Sequence, residues 1–288
     1  MESVSFPARD GFGLSGDWFE PEGPRRAVAV VAGAMGVRRR FYQAFAAFLA
    51  GNGLSALTFD YRGLGGSRPP GPLSRFRAEL HQWGEEDLAG ALEHARASHP
   101  EVPLVFIGHS LGGQLLGLAS NAGTVGAALL VSSQSGYWRL WPISSRWRMV
   151  LIWHMAIPAI TRALGYLPLS RLGSGEDVPR GVALEWARWG RHPRYVLSWA
   201  EGRPEARFAS LTCPLRALAI ADDHFYAPRP AVEALMAMYP GTRSELKVVT
   251  PAEAGARAIG HFGFFKDAHR AKLWPDAVEW LLGAVGPR

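Results

Sequence analysis

Val102-Pro103-Leu104-Val105-Phe106-Ile107-Gly108-His109-Ser110-Leu111-Gly112-Gly113-Gln114-Leu115-Leu116-Gly117-Leu118-Ala119 decides the fold of this 288-residue chain. The apolar run ending at Ile107 reads as a buried strand, and Leu111–Ser120 carries a helical pattern. Only Gly108-His109-Ser110 separates them, within the pattern Gly-His-Ser-Leu-Gly. A turn that tight strains the serine backbone, and a glycine two residues to either side lets the neighbouring chain pass. The strain lifts the Ser110 hydroxyl out at the end of the strand and aims the N-terminus of the next helix at it. A bare five-residue pattern is weak; the flanking strand and helix give it weight.

Working outward, the same strand–helix alternation fills most of the chain. Ala27–Val31, Ser55–Phe59, Leu104–Ile107, Ala127–Val131, Leu215–Ile220 and Leu246–Val249 are short apolar runs, as suits strands buried on both faces of a parallel sheet. Val4–Phe6 and Leu14–Phe19, around Gly11 and Gly13, read as a hairpin. Phe41–Ala50, Glu79–Ala97, Ala231–Met238 and Trp274–Val285 supply further helices. The expectation is an α/β fold: a mostly parallel, doubly wound sheet of about eight strands, with its site along the strand C-terminal ends.

The alternation fails between Gly136 and Arg207, where no strand is evident and seven of the eleven tryptophans fall. We read residues 1–135 and 208–288 as the core and 136–207 as a helical, Trp-rich cap inserted over the strand ends. The tryptophans either build a small satellite core or line an apolar pocket.

Composition narrows the function classes. At 48% hydrophobic and 19% charged residues, with a formal charge of +6, the chain is globular. The arginines are spread along the sequence, and the longest basic block is Arg38-Arg39-Arg40. No nucleic-acid motif accompanies it, so no nucleic-acid partner is expected. A membrane-surface role would need an amphipathic helix with clustered cations, and the spread of arginines argues against one. The most apolar window, Met149 to Leu169, is broken by His154, Pro158 and Arg162, so integral membrane association is not expected. Cys213 is the only cysteine, which excludes an intrachain disulfide. The N-terminus lacks a basic n-region and an apolar h-region. Both fit a cytoplasmic location.

A serine on such an elbow needs a base and an acid, in the chain order serine, acid, histidine. His261, in Gly260-His261-Phe262-Gly263-Phe264-Phe265, follows the last strand and precedes the last helix. His269 is the weaker candidate in the same region. His109 is locked in the elbow and points away from the serine. The loop after Leu215–Ile220 offers Asp222-Asp223. Asp223 falls at the position suited to the acid and Asp222 to orienting the loop, with the reverse as the alternative. The developing oxyanion needs two donors. One is the backbone N–H of Leu111. The other comes from Ala32-Gly33-Ala34-Met35-Gly36, with Ala34 as first choice and Met35 as the alternative. Arg38-Arg39-Arg40 reads as three solvated arginines, or else as an attractor for an anionic substrate at the site mouth. Metal spacing such as H-E-x-x-H and a phosphate-cradling G-x-G-x-x-G are both missing, so no cofactor or metal is implied.

These motifs, with Asp60-Tyr61-Arg62-Gly63-Leu64-Gly65-Gly66-Ser67, resemble the α/β-hydrolase superfamily. The resemblance is to the serine-aminopeptidase and monoacylglycerol-lipase-like group, and to a bacterial branch of hydrolases. It spans roughly residues 3 to 285. It implies Ser110 as nucleophile, Asp223 as acid and His261 as base. The chain departs from the family at Ala32-Gly33, where relatives commonly carry His-Gly; that histidine usually supports the loop rather than reacting, so the implied triad stands. The expected activity is hydrolysis of a carboxylic ester or related acyl bond through an acyl-enzyme, with a small acyl substrate carrying an apolar part. Thioesterase, acyltransferase and peptidase or amidase activities share the apparatus, and ester cleavage ranks ahead of peptide cleavage. A non-catalytic binding protein on the same fold is the contrasting class; it would typically have lost a triad position, and all three are filled.

Overall fold

The computed structural model describes residues 1–173 and 175–286. Among these residues are ten strands: β1 (Glu2–Pro7), β2 (Gly13–Phe19), β3 (Ala27–Ala32), β4 (Leu54–Phe59), β5 (Leu104–His109), β6 (Val125–Val131), β7 (Tyr166–Leu167), β8 (Val178–Pro179), β9 (Leu215–Ile220) and β10 (Ser244–Val249). Eight of them form one sheet in the order β1-β2-β4-β3-β5-β6-β9-β10. β1 and β2 pair antiparallel, as does β2 with β4; the six strands from β4 to β10 run parallel. The expected sheet of about eight strands is therefore present.

Period-two geometry splits each central strand between two cores. Val28, Val30 and Ala32 of β3, with Leu104 and Phe106 of β5, face the core that also holds Leu88, Leu92 and Leu115. Ala27, Ala29 and Val31, with Val105 and Ile107, face the core that holds Phe45, Leu49, Trp274 and Leu281. Helices Gln43–Gly51 and Arg270–Ala284 thus cover one face, and the helix over 80–98, the elbow helix and helix Arg229–Met236 cover the other. Glu79 and Gln82 start helix 80–98 with a reciprocal capping box.

Two expectations change. Helix Leu111–Leu115 is shorter than the predicted Leu111–Ser120 and continues only as a tight turn, Leu116–Leu118. The Tyr239 hydroxyl accepts the Gly117 N–H at 3.1 Å and lies 3.5 Å from the Gly113 carbonyl, so it stands where the helical bond between those two residues belongs. The insertion between β6 and β9 does contain strands, because β7 and β8 pair antiparallel. They are two residues each, too short for period-two patterning to reveal. The rest of the insertion is largely helical, with a run over 143–164 and helix Arg180–Arg191.

Candidate active site

Ser110 sits between β5 and helix Leu111–Leu115 with φ 51° and ψ −115°. It is one of three non-glycine residues with positive φ among the described residues. The glycines around it are a steric necessity. A Cβ on Gly108 would lie 2.5 Å from Gly113 Cα, and one on Gly112 only 2.1 Å from the Ala32 carbonyl oxygen. The second contact shows how closely the elbow packs on the loop after β3.

The loops after β9 and β10 meet beside it. His261 Nδ1 and Asp223 Oδ2 are 2.6 Å apart, with both side chains buried. The Tyr226 N–H donates to the other Asp223 oxygen at 3.1 Å. Asp222 turns the opposite way and accepts the N–H groups of Ile259 and Gly260 at 2.9 and 3.1 Å. The two neighbouring aspartates thus divide the work: one bonds the imidazole, and the other pins the loop that carries it. The Tyr226 ring stacks on the His261 ring at 4.7 Å, and Phe262 stands perpendicular to it. His269 lies behind Gly263, where an added Cβ would stand 3.5 Å from its Nε2, and it does not line the cavity over Ser110. Ser110 Oγ and His261 face that same cavity and form no hydrogen bond with each other in this structure.

A buried chain of hydrogen bonds ties these loops together, and sequence reasoning missed its central member, Tyr42. The Ala34 N–H donates to Tyr42 Oη at 2.8 Å, and Tyr42 Oη lies 2.8 Å from His109 Nδ1. His109 Nε2 lies 3.0 Å from the His261 carbonyl oxygen. That carbonyl can only accept, so Nε2 carries the proton and Nδ1 accepts from the tyrosine. Burial, reinforced by the nearby His261, holds the His109 pKa well below the ordinary histidine value, so the ring is neutral. The expectation that Ala34 supplies the second oxyanion donor therefore gives way, because its N–H is already bonded to Tyr42. The N–H groups of Met35 and Leu111 have no protein acceptor among the described residues.

The cavity over Ser110 has a volume of about 250 Å³. Met35, Ile157, Leu167 and Trp186 give it apolar walls, and Gln134 adds a buried side chain whose Oε1 has no hydrogen-bond partner among the described residues. Among the described residues Trp186 is the one tryptophan on the cavity wall. Trp141 instead donates its N–H to the Phe225 carbonyl at 2.7 Å, and Trp199 to Glu85 at 2.7 Å, so both tie the insertion to the sheet domain. Among the described residues no cluster of three or more histidine, cysteine or carboxylate side chains is placed to hold a metal.

The arginine triplet differs from the three solvated side chains expected. Arg39 Nε bonds Asp17 at 2.8 Å, its guanidinium also meets Asp60, and its N–H donates to Asp60 at 2.7 Å. Arg38 pairs with Glu176 of the insertion, and the same carboxylate accepts the Gly65 N–H at 2.6 Å. Only Arg40 stays exposed without a carboxylate partner among the described residues. Asp60 and Gly65 of the Asp60–Ser67 motif therefore anchor the loop that carries Met35, leaving Arg38 and Arg39 neutralised as attractors.

The family model described as "Alpha/beta hydrolase family" matches residues 28–271. No curated protein matches the sequence. Among solved structures, a soluble variant of monoglyceride lipase from Saccharomyces cerevisiae, bound to a substrate analog, has a TM-score of 0.68 at 15% identity, covering 99% of this chain and 96% of that one. An esterase from Pyrococcus furiosus has a TM-score of 0.64 at 16% identity, covering 99% and 91%. A thermophilic esterase from Thermogutta terrifontis has 0.59 at 18%, covering 99% and 100%.

Proposed function

The chain belongs to the alpha/beta hydrolase family, and from that premise we propose that it is a serine hydrolase of carboxylic esters with an apolar acyl part. One observation carries the reading: His261, paired with buried Asp223 at 2.6 Å, faces the same apolar cavity as the strained Ser110. Residues 136–207 form the cap, whose helix 143–164 and Trp186 wall the acyl side of that cavity.

In this mechanism Ser110 Oγ attacks the ester carbonyl carbon while His261 Nε2 accepts the hydroxyl proton. Asp223 keeps the imidazole in the required tautomer and supports the imidazolium that forms. The carbonyl oxygen becomes an oxyanion held by the N–H groups of Leu111 and Met35. The tetrahedral intermediate collapses, and His261 returns the proton to the departing alkoxide. The acyl group stays on Ser110. Water, deprotonated by His261, then attacks the acyl carbon, and the carboxylic acid leaves with Ser110 restored.

A fluorophosphonate probe tests the nucleophile. Wild type is expected to label with one equivalent and to hydrolyse p-nitrophenyl butyrate; Ser110→Ala does neither. An unlabelled wild type overturns the reading. Labelling that survives in Ser110→Ala moves the nucleophile elsewhere.

A further inference from the structure

The helical run over 143–164 has two faces that repeat every four residues. Met149, Trp153, Ile157 and Thr161 are buried, while Ile143, Trp147, Leu151, Met155 and Ala159 are exposed. A repeat of four drifts around an ordinary helix of 3.6 residues per turn. Here the turns over Ile152–Ala156 are wider, which keeps the apolar ladder along one side. The exposure is large for such side chains, at 59% for Trp147 and 62% for Met155. The same helix lends Ile152, Ala156, Ile157 and Ile160 to the cavity over Ser110. Ile160, Phe225 and Tyr226 are both exposed and on the cavity wall, so the cavity opens beside the ladder.

Charge singles out this face. Residues 136–207 hold eleven arginines and five carboxylates, so the cap alone carries the formal +6 of the whole chain. No aspartate or glutamate occurs from Tyr137 to Gly175. Arg148 and Arg162 of the helix are exposed and have no carboxylate partner among the described residues. Burial, reinforced by the like charges of Arg162 and Arg188, depresses the pKa of Arg191. A second copy packed helix to helix on this face by a two-fold axis would bring arginines against arginines, because helix 143–164 holds Arg146, Arg148 and Arg162 and no carboxylate.

We propose that the outer face of helix 143–164 docks on an anionic phospholipid surface, from which the enzyme draws its acyl substrate. The substrate clause rests on the hydrolase reading of Ser110; the docking clause does not. Trp147, Leu151 and Met155 enter the acyl boundary while Arg148 and Arg162 meet the headgroups, the arrangement of an interfacial amphipathic helix. No helix among the described residues is long and apolar enough to cross a membrane, so the helix lies in the interface.

Co-sedimentation of the full chain with extruded vesicles tests this. Vesicles of phosphatidylcholine with about 30 mol% phosphatidylglycerol are expected to bind wild type at least about tenfold more tightly than phosphatidylcholine alone. Leu151→Glu/Met155→Glu loses that binding by about tenfold or more, and Arg148→Gln/Arg162→Gln loses the preference for the anionic lipid. Both variants keep wild-type turnover of soluble p-nitrophenyl butyrate, because none of these side chains lines the cavity. Absent binding, equal binding to both vesicles, or binding unchanged in Leu151→Glu/Met155→Glu overturns the proposal. So does a wild-type dimer in sedimentation equilibrium that Leu151→Glu/Met155→Glu dissociates. Vesicle binding without ester turnover would retain the docking face and reject the hydrolase, while turnover without vesicle binding would do the reverse.

Discussion

Tyr42→Phe removes one oxygen atom and should weaken both the fold and the catalytic step. The phenol is fully buried, accepting from the Ala34 N–H and donating to His109 Nδ1, each at 2.8 Å. Phenylalanine fills nearly the same space, so packing changes little and the loss is polar. Each buried group left without a partner costs about 1–3 kcal/mol. Two such groups give about 2–6 kcal/mol, a fall in Tm of about 3–10 °C for a chain of this size. The freed Ala34 N–H then lets the loop after β3 relax, carrying the Met35 N–H away from its aim. Complete loss of an oxyanion donor costs about 100- to 1,000-fold in kcat. A loosened donor should cost about tenfold, with KM within about twofold, because the bond is made to the transition state. The assay is p-nitrophenyl butyrate hydrolysis beside urea unfolding, for Tyr42→Phe, His109→Leu and the double variant. His109→Leu removes the acceptor for Tyr42 together with the donor for the His261 carbonyl. The two substitutions should couple by about 1 kcal/mol or more. A Tyr42→Phe protein with stability within about 0.5 kcal/mol of wild type and unchanged kcat would refute the reasoning.

Further outcomes follow from the same geometry. Asp223→Asn should lower kcat about 10,000-fold by stabilising the wrong imidazole tautomer. Asp222→Asn should instead lose one backbone acceptor, costing about 1–2 kcal/mol in urea melts and less than about tenfold in kcat; equal kinetic losses would argue against the division between them. Neutral, buried His109 should make the protein sensitive to acid. The unfolded chain takes up its proton near pH 6.5 while the fold resists, so stability is full above that value and falls below it by up to about 1.4 kcal/mol per pH unit. Unfolding measured from about pH 5 to 7.5 should show that slope flattened in His109→Gln. Each acyl methylene seated in the cavity is worth about 0.8 kcal/mol, so kcat/KM should rise about fourfold per carbon from p-nitrophenyl acetate until the cavity is full. Ala156→Phe should end the rise earlier, and a profile that is flat in wild type would remove the acyl role of the cavity.

What the sequence disclosed was local. The elbow, the strand runs and Asp222-Asp223 are readable because adjacent residues dictate their own backbone and hydrogen bonding. Gly108 and Gly112 mark positions where a Cβ collides with main chain, and a glycine in such a place is visible as a letter. Tyr42 is different. It stands eight residues beyond Ala34 and 67 before His109, and only the packing of helix Gln43–Gly51 on the sheet brings the three together. A tyrosine in an apolar helical pattern looks like core, and Tyr42 is indeed core. Its second role depends on where its oxygen points. The arginine triplet misled for the opposite reason: adjacency suggested one shared fate, but backbone geometry sends Arg38 to the insertion and Arg39 to Asp17 of β2 and to Asp60, just past β4.

Residues 136–207 show how an even spread of arginines along a chain can hide a net charge confined to one segment. Arginines spaced through residues 136–207 have no pattern in sequence, and the even spread of basic residues elsewhere conceals them. The core balances its own cations with Asp10, Asp17, Asp60 and Asp87, several of them buried against Arg39 and Arg62. Such pairs cancel at long range, leaving the cap as the source of the net field. The tryptophans follow the same logic. Trp141, Trp153, Trp189 and Trp199 pack or hydrogen-bond the insertion into place, which leaves the helix over 143–164 with its inner side seated and Trp147 outside. A cap held this firmly has no need of Ile143, Trp147, Leu151 or Met155 for its own stability. Four large apolar side chains at four-residue intervals on an outer face therefore require a reason outside the fold, and the proposed interface supplies it.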